Sequence, residues 1–229
     1  MFLRLALLSA SLACLPSPAN AARPFVTDDA RVVDEGGCQI ETFFKQQRKL
    51  NESEFWFLPA CNPFGKVELT VGHYWVNGTV PGDSQVNLLQ AKTLLKPLTT
   101  NGSGYAITFG TGRVMPFQAP HTFNPYVNAI GSYSLADDRV VLHANLGAVR
   151  DKQADMTRGT WGVGAEIAFH ARLYGIVETY GQRGDKPTRH LGLRVWIVPN
   201  KVQVDGTVGR QNAGPPERDF RSLGLRVLF

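Results

Sequence analysis

Hydrophobic and polar residues alternate along most of the chain from residue 38 onward. Because successive side chains of an extended strand point to opposite faces, this alternation predicts strands with one apolar and one polar face. The last nine residues show the pattern clearly, with Ser222, Gly224 and Arg226 on the polar face. The apolar face of the same segment consists of Leu223, Leu225, Val227 and Phe229.

Twelve extended runs of this kind are separated by turn residues, and no run of eleven or more residues has apolar positions at helical spacing. The pattern therefore predicts an all-β fold. The predicted strands are residues 38–48, 54–60, 66–76, 84–96, 104–112, 125–135, 139–149, 160–171, 173–181, 189–198, 201–209 and 219–229.

When the connections between these runs are numbered from the first, the odd-numbered ones are mostly longer than the even-numbered ones. Four of the five even-numbered connections are tight, such as residues 199–200, and four of the six odd-numbered ones are long, such as 112–124. Outer-membrane barrels have short periplasmic turns and longer extracellular loops. We therefore predict an antiparallel transmembrane β-barrel of about 12 strands, with both ends on the periplasmic side. The alternative is a soluble β-sandwich with the last segment as an edge strand.

The two ends of the sequence carry candidate targeting signals. Residues 1–21 have an early arginine, an apolar run and a small-x-small cleavage site, which predicts a cleaved secretory signal peptide. The last strand, ending on Phe229, resembles the signal that the barrel-assembly machinery of Gram-negative bacteria recognises. We therefore expect an outer-membrane location, with membrane lipids and that machinery as partners. The predicted organisation is a signal peptide at 1–21, a lead-in or plug segment at 22–37, and the barrel at 38–229.

Composition agrees with a half-apolar barrel wall. Mean hydropathy is −0.14, and the net charge of +5 is spread along the chain without a basic run, so nucleic acid is not an expected partner. Removing the signal peptide leaves Cys38 and Cys61 in an oxidising compartment. If the strands that flank residues 48–53 form a hairpin, these two cysteines face each other. We expect a disulfide, with two free buried thiols as the alternative.

The polar faces of the predicted strands carry many charged side chains, which a dry core would not tolerate unpaired. They therefore predict a wet lumen. One interpretation is a salt-bridge network that only holds the barrel in shape, and the other is a narrow or partly plugged path whose charges select a solute. The candidate lumen residues are Glu41, Lys66, Glu68, His143, Glu166, His170, Glu178, His190, Arg194, Asp205 and Arg226.

Aromatic residues support the membrane placement, because their rings favour bilayer interfaces. We expect most of them near strand ends or facing outward. The residues concerned are Trp56, Tyr74, Trp75, Tyr105, Tyr126, Tyr133, Trp161, Tyr174 and Phe229.

Other chemistry finds little support. Ser132 lies on a predicted strand near His143, as a hydrolase could require, but its face points inward and no acid stands out to orient the histidine. His170 and His190 lie on strands that are not adjacent if the strand order is sequential, which argues against a metal site. No phosphate loop, CxxC pair or complete dinucleotide motif occurs, so no cofactor is expected.

Residues 23–30 read Arg-Pro-Phe-Val-Thr-Asp-Asp-Ala, and residues 36–43 read Gly-Gly-Cys-Gln-Ile-Glu-Thr-Phe. This start resembles the MetA-pathway of phenol degradation family, a branch of the outer-membrane β-barrel superfamily. The resemblance implies a channel or transporter, in some members associated with the degradation of aromatic compounds. It directs attention to Thr27, Asp28 and Asp29, which we expect either to enter the lumen and pair with Arg194 or Arg226, or to cap a turn at the start of the first strand.

Together, these patterns predict an outer-membrane channel or transporter for small solutes, with aromatic or hydrophobic compounds implied by the resemblance. It is not expected to be an enzyme. The first alternative is a structural or assembly barrel with a closed lumen. The second is a lipid-modifying membrane enzyme, for which Ser132 would be the candidate nucleophile.

Overall fold

A computed structural model describes residues 25–78, 83–116, 122–152, 154–211 and 218–229. Twelve strands follow one another along the chain, and one short 3-10 helix, Arg48–Leu50, follows the first. No helix among the described residues is long and apolar enough to cross a membrane. The strands are β1 (Cys38–Gln47), β2 (Glu52–Cys61), β3 (Val67–Asn77), β4 (Ser84–Lys96), β5 (Ser103–Pro116), β6 (Thr122–Leu135), β7 (Val140–Asp151), β8 (Met156–His170), β9 (Leu173–Gln182), β10 (Thr188–Val198), β11 (Val202–Gln211) and β12 (Arg218–Leu228).

Each strand pairs antiparallel with its sequence neighbours, and β1 pairs with β12, so the sheet closes into a barrel. At the seam, the Cys38 amide donates to the Phe229 carbonyl at 2.7 Å, and the Phe229 amide donates to the Cys38 carbonyl at 2.9 Å. Closure leaves no strand edge unpaired, as a barrel in hydrocarbon requires. The predicted antiparallel barrel of twelve strands is confirmed.

Several strands continue past their predicted ends. Strand β5 ends at Pro116, and β8 already begins at Met156, inside stretches that the sequence predicts as long loops. The β7–β8 connection is consequently short, whereas the even-numbered connection at residues 97–102 is as long as any in the described part of the chain. The predicted contrast in loop length is therefore wrong, because the backbone ladder continues beyond the zone in which apolar and polar residues alternate.

Large apolar side chains cover the outer face of the barrel. Leu146 is 72% exposed, Leu223 65% and Val71 63%. Soluble monomers rarely expose apolar patches larger than a few hundred Å², so this surface fits lipid hydrocarbon. The predicted apolar face of β12 points outward, with Leu223, Leu225 and Phe229 exposed and Val227 partly exposed.

The disulfide prediction is confirmed. Cys38 and Cys61 are cross-strand partners in the β1–β2 hairpin, with Cα atoms 4.1 Å apart, and their sulfurs are bonded.

The segment before β1 folds into the barrel. Thr27, Asp29, Ala30 and Val33 are each at most 3% exposed. We call residues 25–33 the plug. The predicted signal peptide at 1–21, and the start of the lead-in at 22–24, lie outside the described residues.

Candidate functional site

Carboxylates of the barrel wall hold both ends of the plug through its backbone. On β9, Glu178 accepts hydrogen bonds from the backbone amides of Val26 at 2.8 Å and Thr27 at 2.7 Å. On β3, Glu68 accepts one from the amide of Val33 at 2.9 Å. Buried backbone amides need such partners, and charge-assisted hydrogen bonds are the stronger kind.

Neutral side chains hold the middle of the plug in the same way. Asn145 accepts a hydrogen bond from the Asp28 amide at 2.7 Å and donates one to the Asp28 carbonyl at 2.8 Å. The Ser132 hydroxyl accepts from the Ala30 amide at 2.9 Å. The wall thus satisfies main-chain groups of a segment that belongs to no strand.

Lys92 on β4 forms the ionic contact with the plug. Its ammonium lies 2.7 Å from Asp28 Oδ1 and 3.0 Å from Asp29 Oδ1. Burial disfavours the charged form of Asp29, but Lys92 and then Arg31 outweigh that effect and hold the pKa of this plug carboxyl below its usual value.

The predicted entry of Thr27, Asp28 and Asp29 into the lumen therefore holds, but the predicted pairing of the acids with Arg194 or Arg226 is wrong. Arg194 contacts Glu166 at 2.7 Å, and Arg226 lies 3.4 Å from Glu41. Glu41 lies on β1, the neighbour of the Arg226 strand, and Glu166 reaches Arg194 across β9.

Nine of the eleven candidate lumen residues are buried inside the barrel. Among them, His190 Nδ1 lies 2.5 Å from Glu178 Oε1, and Asp205 on β11 is the cross-strand partner of Arg194. The nine are Glu41, Glu68, His143, Glu166, Glu178, His190, Arg194, Asp205 and Arg226.

The other two candidates do not face the lumen. Lys66 is exposed in the turn before β3, which begins one residue later than predicted. His170 is exposed at the end of β8, beyond a register shift between Ala168 and His170. Such a bulge interrupts the two-residue period on which the prediction depends.

Sequence reasoning did not single out Lys92, because both faces of the run 84–96 carry leucine. The neighbouring strand β3 nevertheless contains a residue that could have indicated the inward position of Lys92. Lys92 is the cross-strand partner of Glu68, and opposite charges are favourable at such positions.

The lumen contains a cavity of about 910 Å³ that lies above and beside the plug. Its lining begins at Gln182 and Arg218, at the end where the odd-numbered connections lie, and continues along the inward face of β1 to Gln39. This volume is within the range of small-molecule sites. The plug bounds the cavity through residues such as Val26, Asp28 and Val32 and so narrows the lumen.

Aromatic side chains form part of the cavity wall. Trp56 stacks between Phe43 and Tyr74, with ring centroids 5.1 and 3.6 Å apart, and the Tyr126 hydroxyl donates to Gln90 at 2.6 Å. Trp56 and Tyr126 line the lumen, so their predicted place in an interfacial girdle is wrong. Trp56 lies two residues from Glu54, and Tyr126 lies two residues from Asn128. Because side chains two residues apart share a strand face, both rings point inward with these polar neighbours.

The candidate Ser132–His143 pair is real but enclosed. The Ser132 hydroxyl lies 2.9 Å from His143 Nδ1, and both side chains are buried in the lumen against the plug. A lipid in the bilayer does not reach this hydroxyl. The pair serves to place the acceptor for the Ala30 amide.

Comparison with other proteins agrees with this fold. The model of a family described as "Uncharacterised conserved protein UCP029691" matches residues 9–229. No curated protein matches the sequence.

Several solved structures resemble the chain. The COG4313 outer membrane channel from Pseudomonas putida F1 has a TM-score of 0.64 at 11% identity, over 88% of this chain and 98% of that one. The KdgM porin in complex with disordered oligogalacturonate has a TM-score of 0.60 at 12% identity, over 83% and 99%. The NanC porin has a TM-score of 0.57 at 8% identity, over 83% and 98%. At these identities, the likeness shows the fold alone, a closed β-barrel of the kind that these three proteins have.

Proposed function

We propose that this chain, which belongs to the family described as "Uncharacterised conserved protein UCP029691", is an outer-membrane channel for small solutes that the plug closes at rest. The observation that carries the proposal is the plug itself. It is buried in the lumen, yet it is a separate segment that takes no part in the strand ladder.

The contacts of the plug suit a reversible closure. They consist of hydrogen bonds to wall side chains and of the ion pairs of Lys92, all non-covalent. Release of the plug breaks no strand pairing, and water that enters the lumen can solvate Glu178 and Lys92. A barrel of twelve strands has an interior wider than the side-chain-filled barrel of eight, so the unplugged lumen gives a narrow path.

The solute class that we propose is small aromatic or hydrophobic compounds. The resemblance of residues 23–43 to the MetA-pathway of phenol degradation family implies it, and the aromatic cavity wall of Phe43, Trp56 and Tyr126 supports it. Uptake into proteoliposomes of a panel that includes phenol, benzoate and a neutral and an acidic sugar tests this class. Preferential uptake of the sugars would contradict it.

A cysteine lock tests gating by the plug. A Cβ atom on Gly162 would lie 3.4 Å from the Cβ of Thr27, close to the separation that a disulfide bridges. The double variant T27C/G162C should conduct less in planar bilayers when oxidised than when reduced. The single variant T27C, treated identically, is the control and should show no such redox response.

The number of contacts between the plug and the wall favours a second candidate, a structural barrel whose lumen stays closed. Conductance separates the two functions. If wild type, the reduced lock and a variant with a weakened plug all insert but never conduct, the closed structural barrel is correct. Conductance that appears only when the plug is weakened or released supports the channel.

We also propose that the outward row Leu223, Leu225, Val227 and Phe229 is the surface that the barrel-assembly machinery recognises. The row is apolar and outward-facing on β12, the strand that closes the barrel against β1. Substitution of Phe229 by Ser should slow membrane assembly in cells, with less effect on folding of the purified chain in detergent. Unchanged assembly of F229S in cells would exclude the role.

A further inference from the structure

A group of basic side chains lies on the outer face of the barrel, where β10 and β12 begin and β11 ends. We call Arg189, Arg210 and Arg221 the arginine patch. All three are exposed. Arg189 and Arg210 are direct cross-strand partners, and Arg221 lies opposite Val208, two residues along β11 from Arg210.

The patch borders the apolar band of the outer face. Leu191 and Val208 form the next outward pair below Arg189 and Arg210, and they are 55% and 52% exposed. Leu223, two residues below Arg221 on β12, is 65% exposed. The guanidinium groups therefore lie at the level where hydrocarbon gives way to lipid headgroups.

Two of the three charges of the patch have no counterion within the described part of the chain. Asp219 is shared by Arg210 at 3.5 Å and by Lys49 at 3.4 Å. Arg189 and Arg221 have no ion pair or hydrogen bond with any described residue. Like charges on direct cross-strand partners are unfavourable, so Arg189 beside Arg210 costs stability unless an external anion joins them.

The same level of the opposite wall has a different composition. On the outward face of β4, Gln85 and Asn87 occupy the last positions near the same end of the barrel. Arg113 on β5, the cross-strand partner of Asn87, adds one basic residue to that wall, and its guanidinium lies 5.3 Å from the centroid of the Phe123 ring. The arginine patch differs in placing three exposed arginines on adjacent strands. Cys38 and Phe229 lie together at the other end of the barrel, which the even strand count predicts to be periplasmic, so we expect the patch to face the outer leaflet.

We propose that the arginine patch binds the phosphate groups of lipopolysaccharide, the phosphorylated glycolipid of the outer leaflet. Guanidinium groups bind phosphate oxygens through paired, charge-assisted hydrogen bonds. Three of them spaced along adjacent strands match a headgroup with more than one phosphate, while Leu191, Val208 and Leu223 contact its acyl chains. This site depends on the outer-membrane location, and it is independent of the solute and of the plug.

The test uses the full mature protein in neutral detergent, with bisphosphorylated lipid A as the probe and native mass spectrometry as the readout. A basic residue near an anionic surface contributes about fivefold to binding. Each single variant R189Q, R210Q or R221Q should therefore bind lipid A about fivefold more weakly, and the triple variant about 100-fold more weakly.

Two comparisons make the result specific. Arg172 is exposed in the β8–β9 connection at the other end of the barrel, so R172Q should bind lipid A as wild type does. Lipid A without its phosphates should bind wild type no better than intact lipid A binds the triple variant. Heat-modifiable migration on gels verifies that each variant folds. If the triple variant does not fold, the lipid A affinities of the single variants test the proposal.

Either of two outcomes would overturn the proposal. The first is equal binding of lipid A by wild type and by the variants of the patch. The second is equally tight binding of phosphatidylglycerol by wild type, which would show a general attraction of basic groups for anionic lipid. Because the readout is lipid binding, a barrel that never conducts could still confirm the site.

Discussion

Lys92 of β4 and Asp29 of the plug form an ion pair in which both side chains are at most 5% exposed, with 3.0 Å between Nζ and Oδ1. The same ammonium also lies 2.7 Å from Asp28. One wall ammonium therefore contacts two adjacent acids of the plug, and Arg31 of the plug lies near the second of them. This contact is the only cation–carboxylate bridge from the wall to the plug among the described residues.

Substitution of Lys92 by Met should release the plug. Removing one partner of a buried ion pair costs about 3–5 kcal/mol when the remaining charge stays buried, and here the plug can avoid that cost by leaving the lumen. We expect larger and more frequent openings in planar bilayers. Lys96 is exposed at the end of the same strand, so K96M is the matched control. Equal conductance of K92M and K96M would show that the ion pair does not hold the plug.

Substitution of Glu178 by Gln should loosen the outer part of the plug. An amide offers only one acceptor oxygen, whereas both carboxylate oxygens of Glu178 accept plug amides. Hydrogen exchange of the Val26 and Thr27 amides should become at least tenfold faster. Glu54 bonds to Lys45 and Trp56 in the upper cavity, so E54Q should leave that exchange unchanged. Faster exchange in both variants would indicate general loosening of the barrel.

Two glycines of β11 provide a matched pair for the packing of the lumen. A Cβ on Gly209 would lie 2.1 Å from the Phe220 ring, whereas a Cβ on Gly206 would meet no atom within 4 Å. G209A should therefore displace Phe220 and lower the free energy of unfolding by about 1–3 kcal/mol, while G206A should change it little. Urea unfolding in lipid vesicles measures both. Equal midpoints would mean that Phe220 moves aside without cost.

The disulfide should stabilise the first hairpin and the seam beside it. Replacing both cysteines, C38S/C61S, should lower the free energy of unfolding by about 2–4 kcal/mol. The variant should still migrate as a folded barrel on unboiled gels, because all twelve strand pairings remain. Thiol labelling of unreduced wild type should detect no free cysteine in the mature chain, and two labelled thiols would refute the bond.

The sequence predicted the barrel wall well because the wall obeys a local rule. Alternation located all twelve strands, and the hairpin register paired Cys38 with Cys61 correctly. The incorrect lumen predictions concern residues to which the strand alternation does not apply. Lys66 precedes its strand and His170 follows a bulge, so neither obeys the period of the neighbouring residues.

The plug was harder to predict because its contacts are distant in sequence. Thr27 binds Glu178, 151 positions away, and Asp29 binds Lys92, 63 positions away. Residues 25–33 show no regular alternation of apolar and polar residues, so the sequence does not predict which wall residues they contact. Only the closed barrel brings the inward faces of β3, β4, β6, β7 and β9 around one short segment.

The way in which the plug is held leaves its own composition largely unconstrained. Glu68, Ser132, Asn145 and Glu178 bond only to main-chain atoms of this segment, which every amino acid except proline can supply at an amide. Mutational drift is therefore restricted at the adjacent acids Asp28 and Asp29 and, through packing, at the buried Thr27, Ala30 and Val33, whereas the exposed Val26 and the partly exposed Val32 are exchangeable. A protease-cleavable or metal-chelating stretch grafted there would convert the protein into a pore that an added reagent opens.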